Sequence, residues 1–280
     1  MSNIVNRILL FLLGLPLLIV TVYFLPFYNN IGINIIAILA SAIGGIEMAN
    51  MLKNKGSNIP SVAGALIGAS LPLTSYISVS FFNNMEIAIF SLIFIIVINL
   101  SIAAFVSSEE ELPLVIPRIG QRFLLIVYPG AFLMFIPRLT ALSGGTILMA
   151  IFILSVYLND SMAYVTGKLL GKNNNNIIFI SPNKSIAGFV GGLTASIAVT
   201  VSAQLIFPKL FPGHIIKSVF FGIIIGFSTI IGDLLESSIK RSCNVKDSGS
   251  IIPGRGGMLD SIDSPVFTAP LFFYLYILLF

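Results

Sequence analysis

The sequence predicts an all-α polytopic membrane protein, and three observations carry that prediction. Of 280 residues, 56% are hydrophobic and 9% are charged. Mean hydropathy is +1.02. The apolar residues gather into runs of about 20, the length of helix that crosses the hydrocarbon layer. A soluble chain of this size needs far more polar surface. We read one integral membrane domain, 1–280, with N-terminal helices in 1–143 and a C-terminal half, 144–280, that carries the densest polar clusters.

Nine spans are expected, at about 7–27, 32–51, 60–82, 86–106, 120–139, 144–165, 187–208, 215–237 and 264–280. The first is not read as a signal peptide. Its apolar run is too long, and no small-x-small site precedes the next polar stretch. Spans three, six and eight hold polar residues inside the apolar run. The loops after spans two, four, six and eight, with the adjoining span ends, contain eleven of the 15 Lys and Arg residues. That side is therefore expected to be cytoplasmic, with the chain in a cell membrane. The net charge of +4 then reflects topology and no nucleic-acid surface. His214, on the opposite side, reads as a loop residue. The single Cys243 excludes an internal disulfide and reads as a small filler. Glu109 to Glu111 and the four asparagines at 173–176 read as solvated loops. Gly188, Gly192 and Ser196, and then Gly222 and Gly226, recur every four residues, a spacing that lets helices approach closely.

Two cytoplasmic segments carry chemistry. In the first, 157–192, Asp160 lies one turn after Tyr157 and one turn before Tyr164, on a shared helix face. A carboxylate inside a span marks a functional candidate, the alternative being a buried structural hydrogen bond. Ser181, Pro182, Lys184 and Ser185 then precede a glycine-rich helix start. Ser181 and Ser185 can cap it, and Lys184 can reach an anion held there.

The second segment, 232–263, reads GDLLESSIKRSCNVKDSGSIIPGRGGMLDSID. Asp233, Glu236 and Lys240 project from one helical face. An i, i+4 pair between Glu236 and Lys240 explains two of them and leaves Asp233 without a partner. Lys246 and Asp247 enter a turn-rich loop. PGRGG, 253–257, gives backbone amides freedom to cradle phosphate oxygens, and Asp260 and Asp263 follow. Carboxylates from two segments around a hard cation, with lysines and arginines beside them, suit Mg²⁺-assisted phosphoryl or nucleotidyl transfer. No Walker P-loop or dinucleotide fingerprint is present.

These residues resemble the phosphatidate cytidylyltransferase family, the CDP-diacylglycerol synthases. The family signature S-x-x-K-R, four residues, K-D-x-G, P-G-H-G-G and D-R-x-D is matched in spacing from Ser237 through Lys240, Arg241, Lys246, Asp247, Gly249, Pro253, Gly256, Gly257, Asp260 and Asp263. Asp160, Ala163, Tyr164, Gly167 and Gly171 match a second family pattern, and Ser181, Pro182, Lys184, Gly188, Gly191 and Gly192 a third. Glu47 resembles the family's acidic residue ahead of a lysine-rich loop. Three positions depart: Arg255 replaces a His, Ser261 replaces an Arg, and Ile186 and Ala187 stand where an acidic residue is usual.

The resemblance implies transfer of CMP from CTP to phosphatidic acid, leaving CDP-diacylglycerol in the membrane and releasing pyrophosphate. It implies catalytic roles for Asp233, Lys240, Arg241, Lys246, Asp247, Asp260 and Asp263, with Asp233 and Asp260 on Mg²⁺ and a monovalent cation beside it. It implies substrate contacts from Asp160, Ser181, Pro182, Lys184, Ser185, Glu236, Ser248, Arg255, Gly256 and Gly257. A homodimer is the expected assembly, which the small-residue helix faces fit. The competing readings are a CTP-dependent enzyme with another lipid acceptor, motivated by Arg255 and Ser261, and an inactive paralogue or transporter of the same fold.

Overall fold

The computed structural model describes residues 14, 16–106, 108–171, 178–182 and 184–280, and every named element among them is helical. Residues 16–24 form α1. The others are α2 (Phe27–Lys53), α3 (Ser61–Phe81), α4 (Glu86–Ala104), α5 (Val115–Leu125), α6 (Phe135–Thr140), α7 (Gly145–Leu170), α8 (Ile186–Ile206), α9 (Ile215–Ser242) and α10 (Leu259–Leu279). A 3₁₀ turn, Glu109–Leu114, leads into α5, and a π-helical turn, Ile126–Ala131, joins α5 to α6. Together these make one span, Glu109–Thr140, among eight described segments long and apolar enough to cross a membrane. The ninth expected span, 7–27, begins outside the described residues.

Glycine decides how closely the helices meet. α2 packs on α3, where a Cβ on Gly45, Gly64 or Gly68 would strike the backbone of the facing helix. Ser41 Oγ completes that seam with bonds to Gly68 O at 2.6 Å and Pro129 O at 2.5 Å. The stripes noted in spans seven and eight also face inward. Gly188 and Gly192 meet α7, while Gly222 and Gly226 meet α8. Thr200 donates to Ser218 O at 2.8 Å, and Asn159 Nδ2 donates to Ser196 Oγ at 2.8 Å. These faces are therefore filled within one chain, and they lend no support to a dimer.

Two span ends differ from expectation, and both matter. α9 continues past 237 to Ser242, and α10 starts at Leu259, ahead of 264. Asp260 and Asp263 thus ride on the opening of a helix, where a loop was expected. The cause is tertiary. Glu47 of α2 accepts from the amides of Met258 and Leu259, both at 2.8 Å, and so supplies the acceptor that an α10 N-terminus lacks in its own sequence.

Candidate active site

The site forms where α9 ends, the 243–258 loop turns, and α10 begins against α2. Lys240 is its centre. Its Nζ lies 2.5 Å from Glu236 Oε2 on the preceding turn and bonds Asp260 Oδ1 across the loop. All three side chains are nearly removed from solvent, at 13%, 1% and 5% exposure. Two carboxylates thus face one ammonium, and Glu236 Oε1 has no hydrogen-bond partner.

Asp260 is held on its other oxygen as well. Oδ2 accepts from Ser248 N at 2.8 Å, Ser248 Oγ at 2.9 Å and Gly257 N at 2.7 Å. Ser248 Oγ also lies 2.9 Å from Glu47 Oε2. A chain of contacts therefore runs from α2 through Ser248 to Asp260. Gly257 has no room for a side chain, because a Cβ there would collide with Ser248 Oγ and both Glu47 oxygens. Gly256, at φ +112°, occupies backbone space that favours glycine, and a Cβ there would sit 2.5 Å from Asp260 Oδ2.

The expectation that the PGRGG amides cradle phosphate is corrected by this geometry. The amides of Arg255 and Gly256 donate to Ile252 O, and that of Gly257 to Asp260. The glycines provide close packing of the loop instead of open anion donors.

A second cluster lies beside the first. The Glu236–Lys240 pair leaves Asp233 over, and its Oδ2 sits 2.6 Å from Nζ of Lys184, just ahead of α8. That contact directs Lys184 at a carboxylate. Ser185 is the cap of α8, accepting from Gly188 N at 3.1 Å. Ser181 takes no capping role, since it lies in a turn with its amide bonded to Ile178 O, and Pro182 is exposed. Asp160 accepts from Ser264 Oγ at 3.3 Å. Asp160, Asp233 and Asp263 are mutually repulsive neighbours, with Arg255 and Lys184 the nearby cations. Asp263 Oδ1 also accepts from Ser264 N at 2.7 Å, while Arg255 Nε reaches Asp260 O at 3.3 Å.

Arg241, in the last turn of α9, and Lys246 and Asp247 of the loop are exposed, with Asp247 packed beside Gly256. Burial raises the Cys243 thiol above its ordinary value, in keeping with a filler residue. His214 caps the start of α9 without a side-chain bond.

Two residues of the N-terminal half were given no site role from sequence. Glu47, 4% exposed, was visible as the one acidic residue of an apolar helix. Tyr128, 1% exposed, carried no such signal. It sits in the π-helical turn with an unpartnered hydroxyl, within electrostatic reach of Asp263, Glu236, Asp233 and Asp260. Such turns recur at functional sites.

Oxygen donors and surplus negative charge suit a hard cation, although no cluster of three metal-binding side chains occurs among the described residues. Mg²⁺ commonly takes only one or two carboxylates and completes its shell with water and phosphate. Asp233, partly exposed, fits that pattern. Asp260 would join only by giving up Lys240.

Known proteins match this arrangement in sequence. The cytidylyltransferase family model covers residues 5–279. A phosphatidate cytidylyltransferase of Bacillus subtilis is 30% identical over 249 residues, 85% of this chain and 87% of that protein. One from Staphylococcus haemolyticus is 44% identical over 118 residues, and the uncharacterized YnbB of Escherichia coli is 38% identical over 145. Those two matches cover 42% and 52% of this chain but only 44% and 47% of the relatives' own lengths. With its family model spanning nearly every residue, the chain belongs to the cytidylyltransferase family.

Proposed function

We propose that the protein transfers CMP from CTP to phosphatidic acid, forming CDP-diacylglycerol and pyrophosphate at the cytoplasmic face of a cell membrane. The observation that carries this reading is the buried Glu236–Lys240–Asp260 cluster joined to a glycine-rich loop at the end of a span. Catalysis of this type needs positioning and charge neutralisation and no covalent intermediate. A phosphate oxygen of the lipid attacks the α-phosphorus of CTP, and the bond to pyrophosphate breaks.

Lys184, Arg241, Lys246 and Arg255 would neutralise phosphate oxygens, Lys184 by leaving Asp233. Lys240 holds Asp260, and through Ser248 and Gly257 the whole loop, in one geometry. Mg²⁺ on Asp233, joined by Asp260, would offset the polyphosphate charge, and a monovalent cation would lie near it. A homodimer is the proposed assembly on the family resemblance alone, since the small-residue faces are filled within the chain.

Purified protein in liposomes, given phosphatidic acid, Mg²⁺ and radiolabelled CTP, should put label into a lipid. Asp233→Ala and Asp260→Ala should abolish it. CTP binding without any lipid label would sink the acceptor assignment, and no CTP binding would sink the enzyme reading.

A further inference from the structure

α5 carries its polar residues on one side. Arg118, Gln121 and Arg122 recur at i, i+3 and i+4 and share a face. With Ser57, Asn58 and Ile59 of the α2–α3 turn they enclose a cavity of about 70 Å³. A water's share of the liquid is about 30 Å³. The recess is large enough to admit a phosphate group.

Its lining is cationic. Arg118 has Glu111 at 3.3 Å, while Arg122 has no carboxylate within ion-pair distance among the described residues. Lys53 and Lys55 flank the same turn, and Gln121 Nε2 fixes it to α5 by donating to Lys55 O at 2.9 Å. α3 begins at Ser61 with no side-chain cap, so its positive end adds to the field.

The opposite face of α5 is apolar and uncovered. Ile116 is 81% exposed and Phe123 41%, and Leu112 and Leu114 just ahead are exposed too. A helix with cations on one side and bare apolar side chains on the other lies in the interfacial plane of a bilayer. α5 lies in the first half of the Glu109–Thr140 span, near its end. Asn54 Nδ2 donates to Cys243 O at 3.1 Å, which puts this turn on the same face as the end of α9, where the signature loop starts.

We propose that α5 and the α2–α3 turn bind the phosphate of an anionic phospholipid headgroup, at a site separate from the signature loop. A guanidinium presents paired donors that match phosphate oxygens. The interfacial position puts a lipid at the mouth of the cavity in place of a soluble anion. Nothing in this proposal depends on nucleotidyl transfer.

Protein in neutral detergent would be titrated with dioctanoyl phosphatidylglycerol, dioctanoyl phosphatidylcholine or inorganic phosphate, with binding followed by native mass spectrometry. Phosphatidylglycerol should bind at least tenfold more tightly than the other two. Arg118→Gln with Arg122→Gln should remove the preference, and Lys246→Gln in the signature loop should keep it. Arg122→Gln alone loses no ion pair, so it should keep the parent's unfolding midpoint and still weaken the lipid severalfold. A preference that survives the double substitution, one lost instead in Lys246→Gln, or inorganic phosphate binding as tightly as the lipid would each overturn the assignment.

Discussion

Two polar regions lie toward opposite ends of α2, Asn34 and Glu47 being separated by about 20 Å of helix. One is built from amides and hydroxyls. Asn34 Nδ2 donates to Thr140 Oγ1 at 3.0 Å, and Asn30 and Thr146 bond at 3.2 Å. Arg138 nearby on α6 is 2% exposed and meets the Met85 carbonyl and the Phe135 ring. Three left-handed residues, Tyr28 to Asn30, start α2 there. The other region gathers Glu47, Asp160, Asp233, Glu236, Asp260 and Asp263 around Lys184, Lys240 and Arg255. The amide and hydroxyl network ties helices together with a single cation, Arg138, beside it, and leaves Asn34 Oδ1 and Arg138 Nε without a partner. The charged one carries more carboxylates than cations and keeps an unpartnered Glu236 oxygen. Surplus charge of that kind is expensive beside hydrocarbon, and the proposed cation and nucleotide would give it a purpose.

Removing the central cation should break this contrast most severely. Lys240→Met leaves two buried carboxylates facing each other, which should cost about 3–5 kcal/mol of stability and all CMP transfer. Thermal unfolding in detergent and the radiolabel assay check it, and wild-type stability would refute the reading of Lys240 as keystone. Glu47→Gln replaces one acceptor oxygen with a donor against three N–H and O–H groups. A loss of about 1–3 kcal/mol is expected, with kcat falling at least tenfold as Asp260 loses its support through Ser248. Glu47→Asp should recover less than half of that activity, its carboxylate being one methylene short.

On the neutral side, Asn34→Ala should cost about 1 kcal/mol, in line with hydrogen bonds between membrane helices. The folded fraction should keep its KM for CTP. A changed KM would mean that the two ends of α2 are coupled. The smallest stability effect is expected for Lys184→Gln. Its pair with Asp233 is partly exposed, so less than about 1 kcal/mol is at stake. CTP affinity should nonetheless drop, and an unchanged affinity would place Lys184 outside the nucleotide site.

Much of this could be read along the chain. Eight expected spans recur as apolar segments because hydrocarbon thickness imposes a length that composition reports directly. The Glu236–Lys240 pair followed from helical spacing, and the capping of α8 by Ser185 from its position before a glycine-rich run. The partner of Asp233 did not follow, since Lys184 arrives from a helix almost fifty positions earlier. The loop amides also read differently. Glycine content announces backbone freedom, but the recipients of those N–H groups, Ile252 O and Asp260, depend on how the turn closes.

The sequence by itself determined the fold class, the polar segments and the family, because hydrophobic length and motif spacing are properties of a linear chain. Only the tertiary structure decided that α10 begins before Asp260, that Glu47 supplies its missing N-terminal acceptor, and that Tyr128 stands beside the carboxylates. Helix ends and buried charges must find partners, and in this chain those partners come from Glu47 of α2 and from Lys184 just ahead of α8, far away in sequence.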